Sequence, residues 1–399
     1  MPPEVWITGV GIISALGSGL DAHADAARAA RSGLKRHRFF DGAPPDPCMA
    51  GLVDAKDCTS IAGAQSADRA DILLDHALAQ CLTQASVVDR NHIDCIAGTT
   101  LGNMAGATAY YRSLRGGGTP ELDLVRHALP CAPLLRAAKK QGLRGKCLTV
   151  SSACGSGMAA LGHAFRRIRS GRATQVIAGG FDTLSPFIIA GFNSLRLVSA
   201  KECRPFDRDR DGLNPGEAAA MLMLESKESA EARGAQPLAK VAGFGDALDA
   251  FHHTRAHPEG LGLRLAMEKA LAGAALESRA IDHVHLHGTG TAANDESEYH
   301  ACKSLFGNRL ADIPACSTKS MTGHTFGAAG ALNASFAVTS LNTGIVPPTL
   351  FLENRDPSFT DLAVSPGPVK IPAIGAVMCT ALGFGGESFA LILTKADRS

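Results

Sequence analysis

Short apolar runs alternate along the chain with longer stretches of helical spacing. Val5 to Ile13 is a compact apolar run carrying Gly9 and Gly11, and it predicts a strand entering a tight turn. Asp68 to Val87 predicts an amphipathic helix, because Leu74, Leu78, Cys81 and Ala85 recur at steps of three and four. Ile93 to Thr100 is again strand-like and runs into a glycine turn. Arg115 to Pro133, rich in Gly and Pro, predicts irregular structure. Leu148 to Val150 reads as a buried strand entering Ser151-Ser152-Ala153-Cys154-Gly155-Ser156-Gly157. Met158, Leu161, Phe165 and Ile168 then mark a helix, and Val176 to Gly180 is another buried strand.

The second half repeats this grammar. Lys240 to Gly245 is strand-like, Gly262 to Ala274 is helical, and Val284 to His287 is a strand running into Gly288. Thr322 to Thr339 holds a helix of small residues after Gly323-His324, and Ile374 to Cys379 and Phe389 to Leu393 read as closing strands. Strands alternating with helices predict a layered α/β fold with largely parallel sheets. A strand, a sharp turn and a small-residue helix occur around Cys154 and again around His324, which reads as a pseudo-duplication. The charged stretch from Ser226 to Gln236 marks the boundary, giving halves at residues 1–230 and 231–399.

Composition narrows the classes. The 399 residues carry 39 Lys plus Arg against 38 Asp plus Glu, a balance that argues against an obligate nucleic-acid or anionic-membrane binder. No run of 18 apolar residues occurs, and the start lacks a signal-peptide pattern, so no membrane span is expected. The 11 cysteines show no C-x-x-C spacing and read as reduced thiols of a cytoplasmic protein.

Four clusters could carry chemistry. Cys154 sits between a strand and a helix N-terminus, where unpaired N–H groups and the helix dipole favour a thiolate. A thiol of ordinary pKa about 8.5 can fall to between about 3.5 and 7.5 at such places. Local context alone leaves two readings open, a nucleophile and a buried structural thiol. His283, His285 and His287 share one face at period two, which makes a metal conceivable, but no neighbouring Cys or carboxylate completes a ligand pattern. Glycines after His287 allow a ligand close to the backbone, with hydroxyls from Thr289 and Thr291. Lys319-Ser-Met-Thr-Gly-His324 flanks a glycine turn with a lysine and a histidine, and Phe384 is the one bulky residue of a second glycine turn, Gly383 to Gly386. Asp207 to Gly212 begins like a calcium loop but has Ala218 at the twelfth position, so ion pairing within a loop is the expectation there.

Taken together and in order, these strings resemble the elongating β-ketoacyl-acyl-carrier-protein synthases. The likeness spans VWITGVGIISALG at the start, GTTLGNM at 98–104, SSACGSG at 151–157, RPFDRDRDGLNPGEAAAMLMLE at 204–225, HGTGT at 287–291, KSMTGH at 319–324 and GFGG at 383–386. Each string is weak alone, and the ordered set is specific. The resemblance implies a thiolase-like fold of two pseudo-duplicated halves with a layered α/β/α/β/α core. It implies that Cys154 is acylated and that His287 and His324 complete a Cys–His–His triad. Lys319 and Glu298 match a supporting lysine and glutamate. Phe384 matches a gate whose N–H, with that of Cys154, forms an oxyanion hole. Thr289 and Thr291 match hydroxyls that meet a phosphopantetheine arm.

The implied reaction is decarboxylative condensation of an acyl-enzyme with malonyl-carrier. It needs no metal or cofactor of its own, since phosphopantetheine enters on the substrate. The implied partners are an acyl carrier protein and a second subunit, identical or homologous. Arg136, Lys139, Lys140, Arg144, Arg196 and Lys201 are candidate docking residues for an acidic carrier. Two alternatives are a non-catalytic subunit that shapes a partner's tunnel and a thiolase acting on CoA esters. The run Ala292 to Glu298 looks more like type II polyketide or aryl-polyene synthases than housekeeping fatty-acid enzymes, which leaves both pathways open.

Overall fold

A computed structural model of the chain describes residues 2–40, 45–58, 69–119, 125–126 and 129–396. Position 68 of the expected first helix, and positions 120–124, 127 and 128 of the expected irregular stretch, lie outside the described residues.

Ten strands form the frame: β1 (Val5–Ser14), β2 (Asp94–Gly98), β3 (Cys147–Val150), β4 (Gln175–Asp182), β5 (Ala218–Ser226), β6 (Ala239–Leu248), β7 (His283–His285), β8 (Ala315–Cys316), β9 (Ala376–Gly383) and β10 (Glu387–Thr394). From the centre outward one half runs β1-β5-β4-β2-β3 and the other β6-β10-β9-β7-β8. The two orders are the same, and the halves join where Val5–Ile7 pairs antiparallel with Ala239–Val241. Helices α1 (Arg69–Gln84) and α3 (Leu261–Ala274) cover the outer faces, with α4 (Ala292–Phe306) packed on α3. Helices α2 (Ser156–Arg169) and α5 (Ala329–Thr343) lie against each other and against strands of both halves. The layering is thus α/β/α/β/α, as the resemblance implies.

Strands buried on both faces have no polar alternation, which is why the sequence shows them as plain apolar runs. In β5, Ala218, Ala220, Leu222 and Leu224 enter the middle core, while Ala219, Met221 and Met223 enter the outer one. In β9, Val377, Cys379 and Ala381 face the middle and Ala376, Met378 and Leu382 face outward. The duplication extends to the backbone. A Cβ on Gly11 would lie 1.8 Å from the Ala77 carbonyl oxygen of α1, and one on Gly245 would lie 2.0 Å from that of Ala266 in α3. Glycine in both central strands lets the covering helix rest on the strand itself.

Two expectations are corrected. The sheet is mixed: β2 pairs parallel with β3 and β4, and β7 with β8 and β9, while the inner pairings are antiparallel. β9 and β10, for example, are joined by the short turn Phe384–Gly386 and can only be antiparallel. The run at Leu148 is not a buried strand. β3 is the edge strand of its half, and Leu148 is 46% exposed.

Candidate active site

The site lies beyond the C-terminal ends of the parallel strands, where open α/β sheets place ligands. Cys154 follows β3, His287 follows β7, Lys319 follows β8, and Phe384 follows β9. Cys154, His287, His324, Thr289, Thr291 and Phe384 all line one cavity of about 580 Å³. Lys319 and Glu298 are buried behind it.

The turn at Cys154 is sharp. Ala153 has φ +45°, a left-handed conformation uncommon for a residue with a side chain, and α2 begins at Ser156. The Ser156 hydroxyl accepts the Ser152 N–H at 2.8 Å, closing the turn. Gly383 packs against it so closely that a Cβ there would lie 2.8 Å from the Ser152 carbonyl oxygen. The sequence reading expected this helix terminus to favour the thiolate. Burial outweighs it and pushes the Cys154 thiol up to about 12, while the Lys319 charge pulls the other way. In the resting fold Cys154 is therefore a thiol.

Two carboxylates from one face of α4 hold the loop of His287. Glu298 accepts the N–H groups of His287 and Gly288, each at 2.7 Å, and the Thr380 hydroxyl at 2.5 Å. Asp295, one turn earlier, accepts those of Thr289 at 3.1 Å and Gly290 at 3.2 Å. Four successive amides thus end on two buried side chains. The Thr289 and Thr291 hydroxyls lie 2.8 Å apart.

Lys319 serves the same loop from the other side. Its ammonium donates to the His287 carbonyl oxygen and lies 3.3 Å from the ring Nδ1. No ion pair within 4 Å joins it to Glu298 among the described residues. The two act on His287 separately. Burial pulls Lys319 down to about 8, with the charges of Glu298 and Cys154 opposing. Burial also holds His287 and His324 well below the ordinary imidazole value, and the Lys319 charge adds to it for both.

The tautomers follow from donors. An ammonium can only donate, so Nδ1 of His287 accepts. Nδ1 of His324 accepts the Phe326 N–H at 3.2 Å. Each neutral ring therefore carries its proton on Nε2. The rings meet edge to face with centroids 5.4 Å apart. His324 is fixed through its backbone, which donates to the Asn214 carbonyl at 2.7 Å and accepts from Gly216 at 2.8 Å. A one-turn helix at Lys319–Thr322 leads into His324, and a tight turn at Phe326–Ala328 separates His324 from α5, so the small-residue helix expected after Gly323-His324 begins at Ala329 and runs to Thr343. Phe326 stacks on His324 and touches Phe192, and Phe192 stacks on Phe384 at 5.9 Å.

The remaining sequence candidates separate. His283 and His285 do not join His287 at the cavity. Cys379 is buried on β9, with its sulfur 3.8 Å from the Asn333 carbonyl oxygen, and does not line the cavity. Asp207 accepts the N–H groups of Asp209, Glu353 and Asn354, and Arg210 pairs with Asp356 at 2.6 Å. That loop is tied by protein groups, as its interleaved charges predict. Arg136 and Lys140 are paired with Asp71 and Asp75 on α1, whereas Arg196 is exposed at the cavity mouth.

Family models for the N-terminal and C-terminal domains of β-ketoacyl synthase match residues 3–230 and 238–353. The chain belongs to the β-ketoacyl synthase family. This synthase is 33% identical to 3-oxoacyl-[acyl-carrier-protein] synthase 2 of Vibrio cholerae, with 98% of this chain and 99% of that protein covered. It is 32% identical to the tetracenomycin polyketide synthase ketoacyl synthase alpha subunit of Streptomyces glaucescens, with 98% and 97% covered. Among solved structures, the ishigamide ketosynthase/chain length factor superposes with TM-score 0.92 at 30% identity over the whole of both chains. A type II polyketide ketosynthase in complex with its acyl-carrier protein gives TM-score 0.92 at 25% identity, covering 99% of this chain and 100% of that one.

The synthase also uses residues that its motifs did not single out. Asp182 accepts the Thr99 hydroxyl at 2.7 Å, the Thr100 N–H at 2.8 Å and the Gly327 N–H at 2.7 Å. Asp295 was visible only as part of an unusual Asn-Asp pair, and Asn214 only within NPGE. A lone polar residue inside an apolar run is a signal that could have found Asp182, whereas Asp295 lies in a polar string that offers none.

Proposed function

We propose that the chain elongates carrier-bound acyl groups by decarboxylative condensation, with Cys154 as the nucleophile and His287 and His324 as paired donors. The observation that carries this reading is the pair of tautomers: both rings are held through an accepting Nδ1, which leaves two N–H groups on imidazoles that line the cavity of Cys154.

Three steps follow. The Cys154 sulfur attacks the acyl thioester carbonyl, the carrier thiolate leaves, and the thiol proton ends on the departing thiol. Backbone N–H groups of Cys154 and Phe384 receive the oxyanion. Malonyl-carrier then enters, its C–C bond to the carboxylate breaks, CO2 leaves, and the electron pair stays as an enolate whose oxygen accepts from both Nε2–H groups. The enolate carbon attacks the acyl-Cys154 carbonyl, the Cys154 thiolate leaves and is reprotonated, and a 3-ketoacyl-carrier two carbons longer is released. Glu298 and Lys319 position His287. Thr289 and Thr291 bind the phosphopantetheine arm of the substrate. One proton taken from solvent per turnover restores the Cys154 thiol and closes the balance.

The carrier docks at the cavity mouth, where Arg196 and Arg255 are both exposed. The chain pairs with itself or a homologous subunit through the open edge of β3, beside exposed Leu148, Tyr111 and Leu135. The reaction runs in the cytoplasm, a placement supported by 11 unbridged cysteines. No helix among the described residues is long and apolar enough to cross a membrane. The thiolase reading lacks a second cysteine at the cavity, and the non-catalytic reading leaves the architecture around Cys154 without a purpose.

The test is condensation with radiolabelled malonyl-carrier. Wild type releases labelled CO2 and forms 3-ketoacyl-carrier. Cys154→Ala forms no product, and His324→Ala releases no CO2. Product formation by Cys154→Ala removes the proposal.

A further inference from the structure

Three polar side chains meet in the apolar layer between the sheet and α5, and the chemistry at Cys154 uses none of them. His283 and His285 lie on β7, and Cys316 pairs in register with His285 on β8. All three are fully buried, and none lines the catalytic cavity. One nitrogen of each ring and the Cys316 sulfur lie within 4.8 Å of one another. The sequence could not complete this ligand set, because the cysteine comes from a strand 31 residues away.

The hydrogen bonds leave the cluster open on its inner side. Nδ1 of His283 lies 2.8 Å from the Pro314 carbonyl oxygen. A carbonyl only accepts, so Nδ1 carries the proton and Nε2 turns a lone pair to the Cys316 sulfur, 3.7 Å away. That second bond, from the far nitrogen to a carbonyl, is the arrangement that orients metal-ligating histidines. His285 meets the Thr318 hydroxyl through Nε2 at 3.2 Å. Its Nδ1 is buried with no partner, which costs about 1–3 kcal/mol. Bonds of about 2.0 Å to nitrogen and about 2.3 Å to sulfur, with an angle of roughly 120° between them, span about 3.7 Å. The separation between His283 and Cys316 therefore matches one edge of a trigonal centre, with a ring nitrogen of His285 within 4.8 Å of both.

We propose that His283, His285 and Cys316 form a soft-metal site and that its cation is Cu(I). Charge selects the ion. Two neutral imidazoles and one thiolate carry a single negative charge, which Cu(I) cancels. A divalent cation would leave a net positive charge in the core, near the Lys319 ammonium. Thiolate and imidazole together suit Cu(I), and its low coordination number needs no water. Cys379 flanks His285 on β9, but its sulfur turns to the Asn333 carbonyl and lies outside the cluster. Binding exchanges one Cu(I) for the Cys316 thiol proton, with no change of oxidation state. The ion would tie β7 to β8 two residues before His287 and three before Lys319.

The test is metal content of the full chain. The protein is purified anaerobically without chelators from copper-supplemented cells, and separately refolded with Cu(I) under glutathione and desalted. Wild type and Cys154→Ala retain about one copper per chain, and X-ray absorption finds sulfur and imidazole ligands. Cys316→Ala and His283→Gln retain roughly tenfold less. Cys316→Ser, nearly isosteric, and far-UV dichroism guard against a folding defect. Copper-free wild type after both routes overturns the proposal. So does copper undiminished in Cys316→Ala, or zinc held in its place in a Cys379-dependent manner.

Discussion

Asp182, at the end of β4, accepts the amide of Gly327 at 2.7 Å, and that bond ties the turn after His324 to the half that carries Cys154. The same carboxylate holds Thr99 and Thr100, and the Thr100 hydroxyl donates to the Ala153 carbonyl at 3.0 Å. A single buried side chain thus sets the Cys154 turn relative to the His324 turn. Asp182→Asn keeps the shape but turns an NH2 toward one of these donors. A loss of roughly 2–3 kcal/mol is expected in denaturant unfolding, with slower acylation of Cys154. Unchanged stability and acylation would show that the bonds are dispensable.

Lys319 predicts a pH dependence of stability. Burial pulls its ammonium down to about 8 in the fold, from an ordinary value of 10.5. Below pH 8 both states are charged, and the folded state bears the full cost of burying the charge. Between pH 8 and 10.5 the unfolded chain holds a proton that the folded chain has released, so this contribution improves as pH rises. Wild type should gain stability relative to Lys319→Met over that window, by roughly 3 kcal/mol if the whole shift is expressed. Urea unfolding of both proteins at pH 7.5 and pH 10 measures it, and an unchanged difference contradicts the assignment.

Glu298 and Asp295 divide four consecutive amides of the His287 loop between them. Glu298→Gln replaces an acceptor oxygen with a donor facing His287 or Gly288. Decarboxylation should fall at least tenfold while acyl transfer to Cys154 falls less, because only the former uses the ring of His287 as donor. Parallel assays of CO2 release and acyl-enzyme formation separate the two. Equal losses would place Glu298 in general folding instead.

Phe326 packs behind His324 and Phe192, which line the cavity, with ring centroids 5.0 Å from both. Phe326→Leu removes ring volume from a fully buried position. The variant should take longer acyl groups than wild type in competition between carriers loaded with a graded series of chain lengths. An unshifted length preference would mean that the acyl chain runs elsewhere.

The candidate site was legible where a strand runs into a turn of small residues. Local spacing marked Cys154, His287, Lys319 and Phe384 as candidates, their roles came only from the resemblance, and the structure sets Cys154, His287 and Phe384 around one cavity with Lys319 buried behind it. The layered, duplicated fold was legible through the repetition of strand, turn and small-residue helix. Residues that act across the fold were not. Asp182 serves Gly327 and Asn214 serves His324, and no local pattern links either pair. The proportion of parallel strands was overestimated because an apolar run does not reveal its direction. The exposure of Leu148 depends on β3 lying at an edge, which is a property of sheet order. The thiolate expected at Cys154 followed from the helix terminus alone, and the depth of burial reverses it.

The central claim is that Cys154 receives the acyl group. Intact-protein mass spectrometry after mixing with excess acyl-carrier, in the absence of malonyl-carrier, tests it directly. Wild type should gain the mass of one acyl group, localised by peptide mapping to Cys154, and malonyl-carrier should discharge it. An unmodified wild-type chain, or an adduct that persists in Cys154→Ala, would contradict the account.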